Sequence, residues 1–527
     1  MKKEEWSVKR VLILVAVVTM AAVVSTLGFA RRAPAAPGAA PRRGGELVVA
    51  LSRDLRSTDP LTGGTIDAVD YNMAIAEVLV LYGRDGLQPW LIEEFKADSD
   101  GTYTWKVRKG VKFTDGTPLN AEAVKASIEH LLEPRNEYPY RVYFVGKTQR
   151  IDVVDEYTLR VKNSAFDVEF MDRMPNVGVV SPTALRRGVD FRRSPVGTGP
   201  FKLVSYTPGE RIVLERNDQY WRPNEPYLDR VVFRIIPDEN VRLLELEAGS
   251  VHFAVDMGAA DLRRAMGRGL KVQATAATGS MLVYFNLKRL TDAAVRRAAS
   301  LAIDRDAVMR ALYQQYGVTS PYNIPKAMAF YHDASIPGAD YDPDRAKAVL
   351  EEAGWKVGAD GIRANARGER LVWIMPASSI ASQIAGSQMI AGMLKRVGIQ
   401  VNISIMDFRT YESRAIGGEY DIVYYEWAGS STDNPWHNTM VTYSKYAWKI
   451  PQINDPLLDR LHEQSLGTLD QRQRKQILKE YFTHVQRNYF YYTIGHKPYM
   501  FVSRPEVDGV LFGANRTLFN GAWLDRR

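Results

Sequence analysis

The side chains that most often carry covalent chemistry are either missing from this sequence or wrongly spaced. None of its 527 residues is cysteine, which removes disulfides, zinc–thiolate sites, iron–sulfur clusters, thiol nucleophiles and the cysteine of a lipoprotein anchor together. Gly146-Lys147-Thr148 has the end of a phosphate-binding loop, but Arg141 stands where the earlier glycine is needed. Gly197-Thr198-Gly199 and Gly267-Arg268-Gly269 lack the third glycine of a dinucleotide fingerprint, with Lys202 and Val272 in its place, and read as turns. No Gly-x-Ser-x-Gly elbow occurs. The 7 histidines, at 130, 252, 332, 437, 462, 484 and 496, show no metal-binding spacing. No metal, cofactor or catalytic residue is expected, and nothing in these residues supports an enzyme.

Binding chemistry is better represented. Trp427, Trp436, Tyr424 and Tyr425 gather around Asp433 in the run YYEWAGSSTDNPW. The apolar stretch Asp421–Tyr425 reads as a strand, and a loop after it presents Asp433 at the strand's exit, where α/β proteins place ligand contacts. A lone carboxylate enclosed there is costly unless a cation pairs with it, so enclosure would be coupled to a cationic ligand group. The same Ser-Ser-Thr-Asp-Asn-Pro is also good turn chemistry. Tyr424 and Tyr425 point to opposite faces of a strand, so at most one lines a site and the other belongs to the core. His437 contacts a ligand or lies on the surface.

The elements that must position these residues alternate along the chain. Apolar or alternating runs predict strands at Glu46–Ser52, Thr102–Val107, Arg211–Glu215, Val231–Ile236, Val401–Met406 and Asp421–Tyr425. The turn Thr114–Pro118 leads to a helix capped by Asn120, with Val124, Ile128, Leu131 and Leu132 as its buried stripe. Asp342 caps another helix, Pro343 opens it and Gly354 ends it. The mixture predicts an α/β protein of more than one domain and more than one sheet.

Composition narrows the class. Hydrophobic residues make up 46% and charged residues 25%, the balance of a folded chain with a packed core. The formal charge is +8; Lys2, Lys3, Lys9 and Arg10 against Glu4 and Glu5 supply +2 of it. The remainder is spread without the clustered basic stripe of a nucleic-acid binder, so no nucleic-acid partner is expected. Those basic residues precede an uncharged apolar stretch from Val11 to Ala30, followed by RRAPAAPGAAPRRGG. Residues 1–30 read as a secretory signal and 31–45 as a flexible linker; the rival is an uncleaved anchor. Either way the rest of the chain lies outside the cytoplasm, in the periplasm.

Four stretches resemble the family 5 extracellular solute-binding proteins, the group containing the dipeptide- and oligopeptide-binding proteins. They are WKVRKGVKFTDGTPLNAEAVKASIEHLL at 105–132, SPVGTGPFKLVSYTPGERIVLERNDQYW at 194–221 with its continuation to 254, YFNLKRLTDAAVRRAASLAIDRDAV at 284–308, and YDPDRAKAVLEEAGW at 341–355 with GEYDIVYYEWAGSSTDNP at 418–435. The resemblance implies a type II periplasmic-binding-protein clamp of two lobes that closes on a solute, a di- or oligopeptide, and delivers it to the permease and ATPase of an ABC importer. Lobe I would comprise residues 46–62, 196–276 and 488–527, with an inserted subdomain at 63–195, and lobe II residues 277–487. The protein would be a monomer. A non-peptide solute (an opine, an oligosaccharide or a metal chelate) and a periplasmic hydrolase are the alternatives.

The resemblance also distributes roles. In peptide-binding relatives an acidic residue six positions after a tryptophan pairs with the ligand's α-ammonium, which here matches Trp427 and Asp433. Those relatives commonly have Asp-Pro-Asp at this point, whereas here the run is Asp433-Asn434-Pro435-Trp436-His437. Gly279-Ser280-Met281 and Tyr284-Phe285-Asn286 match the segment that runs along the cleft, where extended backbone would pair with a bound peptide. Asn286 either bonds a ligand amide or satisfies the following turn. Arg409, beyond the strand Val401–Met406, either meets a ligand carboxylate or is solvated.

Overall fold

The unbroken apolar run Leu47–Leu51 within Glu46–Leu51 gives that strand two buried faces, and two different cores form on them. In the computed structural model, which describes residues 40–525 except 56, 63–65, 84–85, 137, 139–140, 142, 428–434, 447–449 and 513–516, this strand is the centre of a seven-stranded sheet. The order is Lys271–Ala274, Met500–Ser503, Phe253–Ala254, Glu46–Leu51, Arg230–Ile235, Arg211–Arg216, Phe201–Thr207. Glu46–Leu51 runs parallel to both neighbours, and the outer pairings are antiparallel. Leu47, Val49 and Leu51 pack with Phe233, Phe253 and Phe501 on one face. Ala50 on the other joins a core that continues through Leu243 and Leu262 into the second sheet. The predicted secretory signal and most of the linker lie outside the described residues. Among those described, no helix is long and apolar enough to cross a membrane.

The second sheet has four strands in the order Val318–Thr319, Tyr491–Lys497, Gly279–Phe285, Ile422–Glu426, all antiparallel. Gly279–Phe285 is buried along its whole length. Met281, Val283 and Phe285 face the core shared with the first sheet, and Leu282 and Tyr284 face a separate one with Tyr425, Trp427 and Tyr491. Beside it, Val372–Ser378 and Gln400–Met406 form a parallel pair connected through the helix Ala381–Lys395.

A third sheet, Ile92–Ala97, Thr102–Val107, Thr158–Asn163 and Thr148–Asp155, carries the helix Ala121–Leu132. Asn120 accepts from the Ala123 amide at 3.0 Å as its cap, and Val124, Ile128 and Leu131 are buried, with Leu132 half-buried. Asp342 caps the helix Pro343–Glu352, and Gly354 follows in the left-handed region at φ +84°.

The chain passes from the first sheet to the second between Ala274 and Gly279 and returns between Lys497 and Met500. The return is later than the Asn488 expected from sequence: the helix Gln471–Asn488 ends at Tyr489, and Tyr491–Lys497 still belongs to the second sheet. On this sheet membership we propose residues 46–62, 196–276 and 498–525 as lobe I, 63–195 as its inserted subdomain, and 277–497 as lobe II. The subdomain's core includes Met440 and Tyr446. Val168 donates its amide to the Leu466 carbonyl at 2.9 Å, and Arg474 donates to Glu169 with both side chains buried.

Gly197-Thr198-Gly199 turns out to be a close approach of two backbones. A Cβ at Gly199 would lie 2.4 Å from the Ala74 carbonyl oxygen, and one at Gly197 2.4 Å from that of Ile75. The amide of Gly199 donates to the Ile75 carbonyl at 2.8 Å. Gly199→Ala is therefore expected to lower the unfolding free energy by about 2 kcal/mol, because the two segments must separate. An unchanged denaturation midpoint would show that the segments yield freely.

Candidate functional site

The strand ends at the two crossings bring together polar groups from both lobes. On the face shared with lobe I, Glu426 ends its strand with its side chain 2% exposed. Its Oε2 accepts from Lys497 Nζ at 2.6 Å and the Tyr313 hydroxyl at 2.9 Å, and its Oε1 from the Tyr424 hydroxyl at 2.6 Å. Ser382 adds a hydroxyl at 3.3 Å. Lobe I contributes Asp256, which accepts from Arg53 Nη2 at 2.8 Å and Ser52 Oγ at 3.1 Å. Burial opposes its ionisation, but Arg53, then Lys497 and Arg242, hold the Asp256 carboxyl down at about 2. These groups thus form a line of alternating charge, Arg53–Asp256–Lys497–Glu426, that passes from one lobe to the other. Further out, the Arg53 guanidinium lies over the Phe408 ring at 5.4 Å and Arg409 donates to the Leu55 carbonyl at 3.4 Å.

The opposite face of the same strand ends is polar and neutral. Antiparallel register sets Trp427, Ser280 and His496 in one row across three strands, with the Trp427 amide donating to the Ser280 carbonyl at 2.8 Å. Val318 continues the row opposite His496. Thr278 precedes Ser280 by two residues, and Thr493 lies opposite Leu282 on this face. Thr278 Oγ1, Ser280 Oγ, Thr493 Oγ1 and both ring nitrogens of His496 are buried with no hydrogen-bond partner among the described residues. His496 is 0% exposed, and burial, then the neighbouring His332, pushes its imidazole down to about 3, so it is neutral. Each such orphaned group costs on the order of 1–3 kcal/mol, which makes four of them in one place a feature that calls for a partner.

The residues singled out from sequence divide into four groups. Trp427 is at the site, 6% exposed, with its indole N–H donating to the Tyr284 hydroxyl at 2.7 Å and its ring 4.7 Å from that of Tyr425. Arg409 begins the helix Phe408–Gly417 and reaches lobe I across the cleft. Tyr424 and Tyr284 lie in the layers beneath, and Met281 is in the core shared by the lobes. Asn286 is the clearest correction. Its amide donates to the carbonyls of Gly418 and Tyr420 at 2.8 and 2.9 Å and its oxygen accepts from the Lys288 amide, so it satisfies the turn and has no amide hydrogen left for a ligand. The expected pairing of a peptide with backbone at Gly279–Met281 is also corrected, because that strand is already paired on both sides. Asp433 lies outside the described residues; Trp436 opens the short helix Trp436–Met440, and its side chain and that of His437 are likewise undescribed.

Sequence reasoning placed Ser280 along the cleft only through its backbone, and missed Asp256, Glu426, Lys497, Thr493 and His496. The available signal was a polar residue inside an apolar strand: one serine in GSMLVYF, and Thr493 and His496 in YYTIGHK. Among the described residues no group of three or more His, Cys, Asp or Glu is placed to hold a metal ion.

Comparison with known proteins places this geometry. Residues 86–448 match the model of the bacterial extracellular solute-binding proteins, family 5. The chain is 28% identical over 455 residues to heme-binding protein A of Haemophilus influenzae, covering 79% of this chain and 81% of that protein. It is 28% identical over 445 residues to di/tripeptide-binding protein 1 of Pseudomonas aeruginosa, covering 76% and 79%. The solved structure of the oligopeptide-binding protein AppA of Bacillus subtilis, in complex with a nonapeptide, superposes with a TM-score of 0.83 at 21% identity over 92% of this chain and 100% of that one. The two crossings, the two lobes and the inserted subdomain are those of a ligand clamp, and the chain belongs to the family 5 bacterial extracellular solute-binding proteins.

Proposed function

We propose that the solute this binding protein captures, for delivery to the membrane permease of an ABC importer, is a di- or oligopeptide. The observation that carries the reading is the charge balance of the line that joins the lobes. Arg53 is paired with Asp256 and Lys497 with Glu426, and the row beside them is neutral. Such a balance suits a ligand rich in amides and low in net charge. A heme, with its two propionates, or a polycarboxylate metal chelate calls for uncommitted cations, whereas these two are already committed. The di/tripeptide-binding relative and the peptide-bound structural neighbour support the same reading.

The protein acts by binding, as a monomer outside the cytoplasmic membrane, without a catalytic step. Open and closed forms interconvert, and contacts made by both lobes to the solute shift the population toward closure. Native mass spectrometry of the gently purified protein tests the proposal. A set of released masses matching short peptides is expected, and one discrete non-peptide mass would overturn the peptide assignment.

Asp433 is the proposed partner of the peptide's α-ammonium, from its place six residues after Trp427. Asp433→Ala is expected to weaken binding of free-amine peptides by more than about tenfold while leaving N-acetylated peptides unaffected. Equal affinity of the variant and the unaltered protein for a free-amine peptide removes Asp433 from the site.

A further inference from the structure

We infer that the buried row Thr278, Ser280, Thr493 and His496 is a subsite for an uncharged hydrogen-bonding side chain of the bound solute, an amide or a hydroxyl; this rests on the peptide reading above. Three observations combine. The four side chains are 0–3% exposed and lack partners, so their donors and acceptors are reserved for something absent from the described protein. Ser280, Thr493 and His496 share one face of one sheet, fixed by the pairing of Ser280 with His496 and of Leu282 with Thr493, and Thr278 stands at its edge, one residue before the strand. They also sit at both crossings: Thr278 immediately precedes the first strand of lobe II, and His496 is followed by Lys497 and the return to lobe I. Parting of the lobes turns the chain at those points and uncovers the row; closure seals it over whatever has entered.

The chemistry of the row sets its preference. A neutral imidazole offers one N–H donor and one acceptor, and three hydroxyls each offer both, so the row matches a carboxamide, which needs donors and acceptors together. It supplies no full charge to a carboxylate or an ammonium, and it leaves orphaned groups against an apolar side chain. Nearby charge is turned away: Lys497 and Glu426 bond each other on the sheet's other face. His332, the neighbouring titratable group, faces the Ile324 carbonyl at 3.2 Å through Nδ1 and stacks on Tyr322.

The test uses the purified protein stripped of retained solute and titrated calorimetrically with tri-alanine peptides in which each position in turn is Gln or Leu. At one position Gln is expected to bind about tenfold more tightly than Leu, as befits a site built to hydrogen-bond. His496→Leu is expected to bring the two within about twofold of each other through loss of affinity for the Gln peptide, and Ser280→Ala gives a second, smaller lesion should the first fail to fold. Equal binding of Gln and Leu at every position overturns the subsite, leaves the peptide reading standing and assigns the row to water. A preference for Gln that both variants retain overturns it also. Binding of none of the tripeptides removes the peptide reading and the subsite with it.

Discussion

Glu77→Ala is expected to lower the unfolding free energy by about 4 kcal/mol or more, because it strands several buried donors at once. The carboxylate is 1% exposed and sits inside a ring of aromatic residues. Oε1 accepts from Trp90 Nε1 and the Tyr220 hydroxyl, each at 2.7 Å, and Oε2 from Thr198 Oγ1 and Trp221 Nε1, each at 2.9 Å. Trp90 and Trp221 meet edge to face at 5.7 Å, with Arg222 over both rings. These residues come from four separate stretches of chain at the junction of lobe I with the inserted subdomain, so the loss is expected to loosen that junction. Burial pushes the Glu77 carboxyl up to about 7 against the pull of its four donors. A folded-state value above the unfolded one means that the Glu77 contribution to stability is fully present below about pH 4.5 and is lost as pH rises through about 7. Glu77→Gln removes that dependence. Denaturant midpoints of the two proteins from pH 4 to 8 should converge or diverge accordingly, and parallel profiles would show that Glu77 does not titrate in this window.

The second large effect is expected from Glu426→Ala, a loss of about 3 kcal/mol. The variant leaves the Lys497 ammonium, 13% exposed, without its carboxylate, and also orphans the Tyr313 and Tyr424 hydroxyls. Replacing both members, as in Glu426→Leu with Lys497→Met, is expected to recover most of the loss, because an apolar pair of similar volume dispenses with the desolvation of two ions. Failure of the double variant to recover would mean that the tyrosine hydroxyls, and not the buried ammonium, dominate the site's energetics. The pair adjoins Asp256 of lobe I, so solute affinity is a useful companion readout: the single variant is expected to shift it and the double variant to shift it differently, since only the first leaves a charge facing the cleft.

Local signals in the sequence were read well. Asn120 and Asp342 cap the helices they were assigned to, and the six predicted strands occur within a residue or so of their expected ends. Those signals act over a few residues, through side chains that bond nearby amides or alternate between two faces. The site is another matter. Ser280 and His496 are strand neighbours only because two distant segments pair in one register, and a bulge at Ile494 shifts that register between Met281 and Leu282. No local pattern encodes such a meeting. Asn286 has two readings in the sequence, a ligand amide or the following turn, and tertiary packing decides for the turn by spending it on the Gly418 and Tyr420 carbonyls. The Gly197-Thr198-Gly199 motif likewise carried a structural message, two glycines for a close approach and a threonine for Glu77, in a spacing that imitates a nucleotide site.

The position of Met500–Ser503 in the first sheet has a consequence for biogenesis. This strand lies between Phe253–Ala254 and Lys271–Ala274, bonded to both, and Tyr499, Phe501, Phe519 and Leu524 fill the core beneath. A ribosome delivers the chain from its first residue onward, and domains ordinarily fold as they emerge. Here lobe I lacks an interior strand until the segment that follows lobe II has been made, so it cannot complete its core before lobe II is synthesised. The topology therefore makes the two lobes mature together and not in turn.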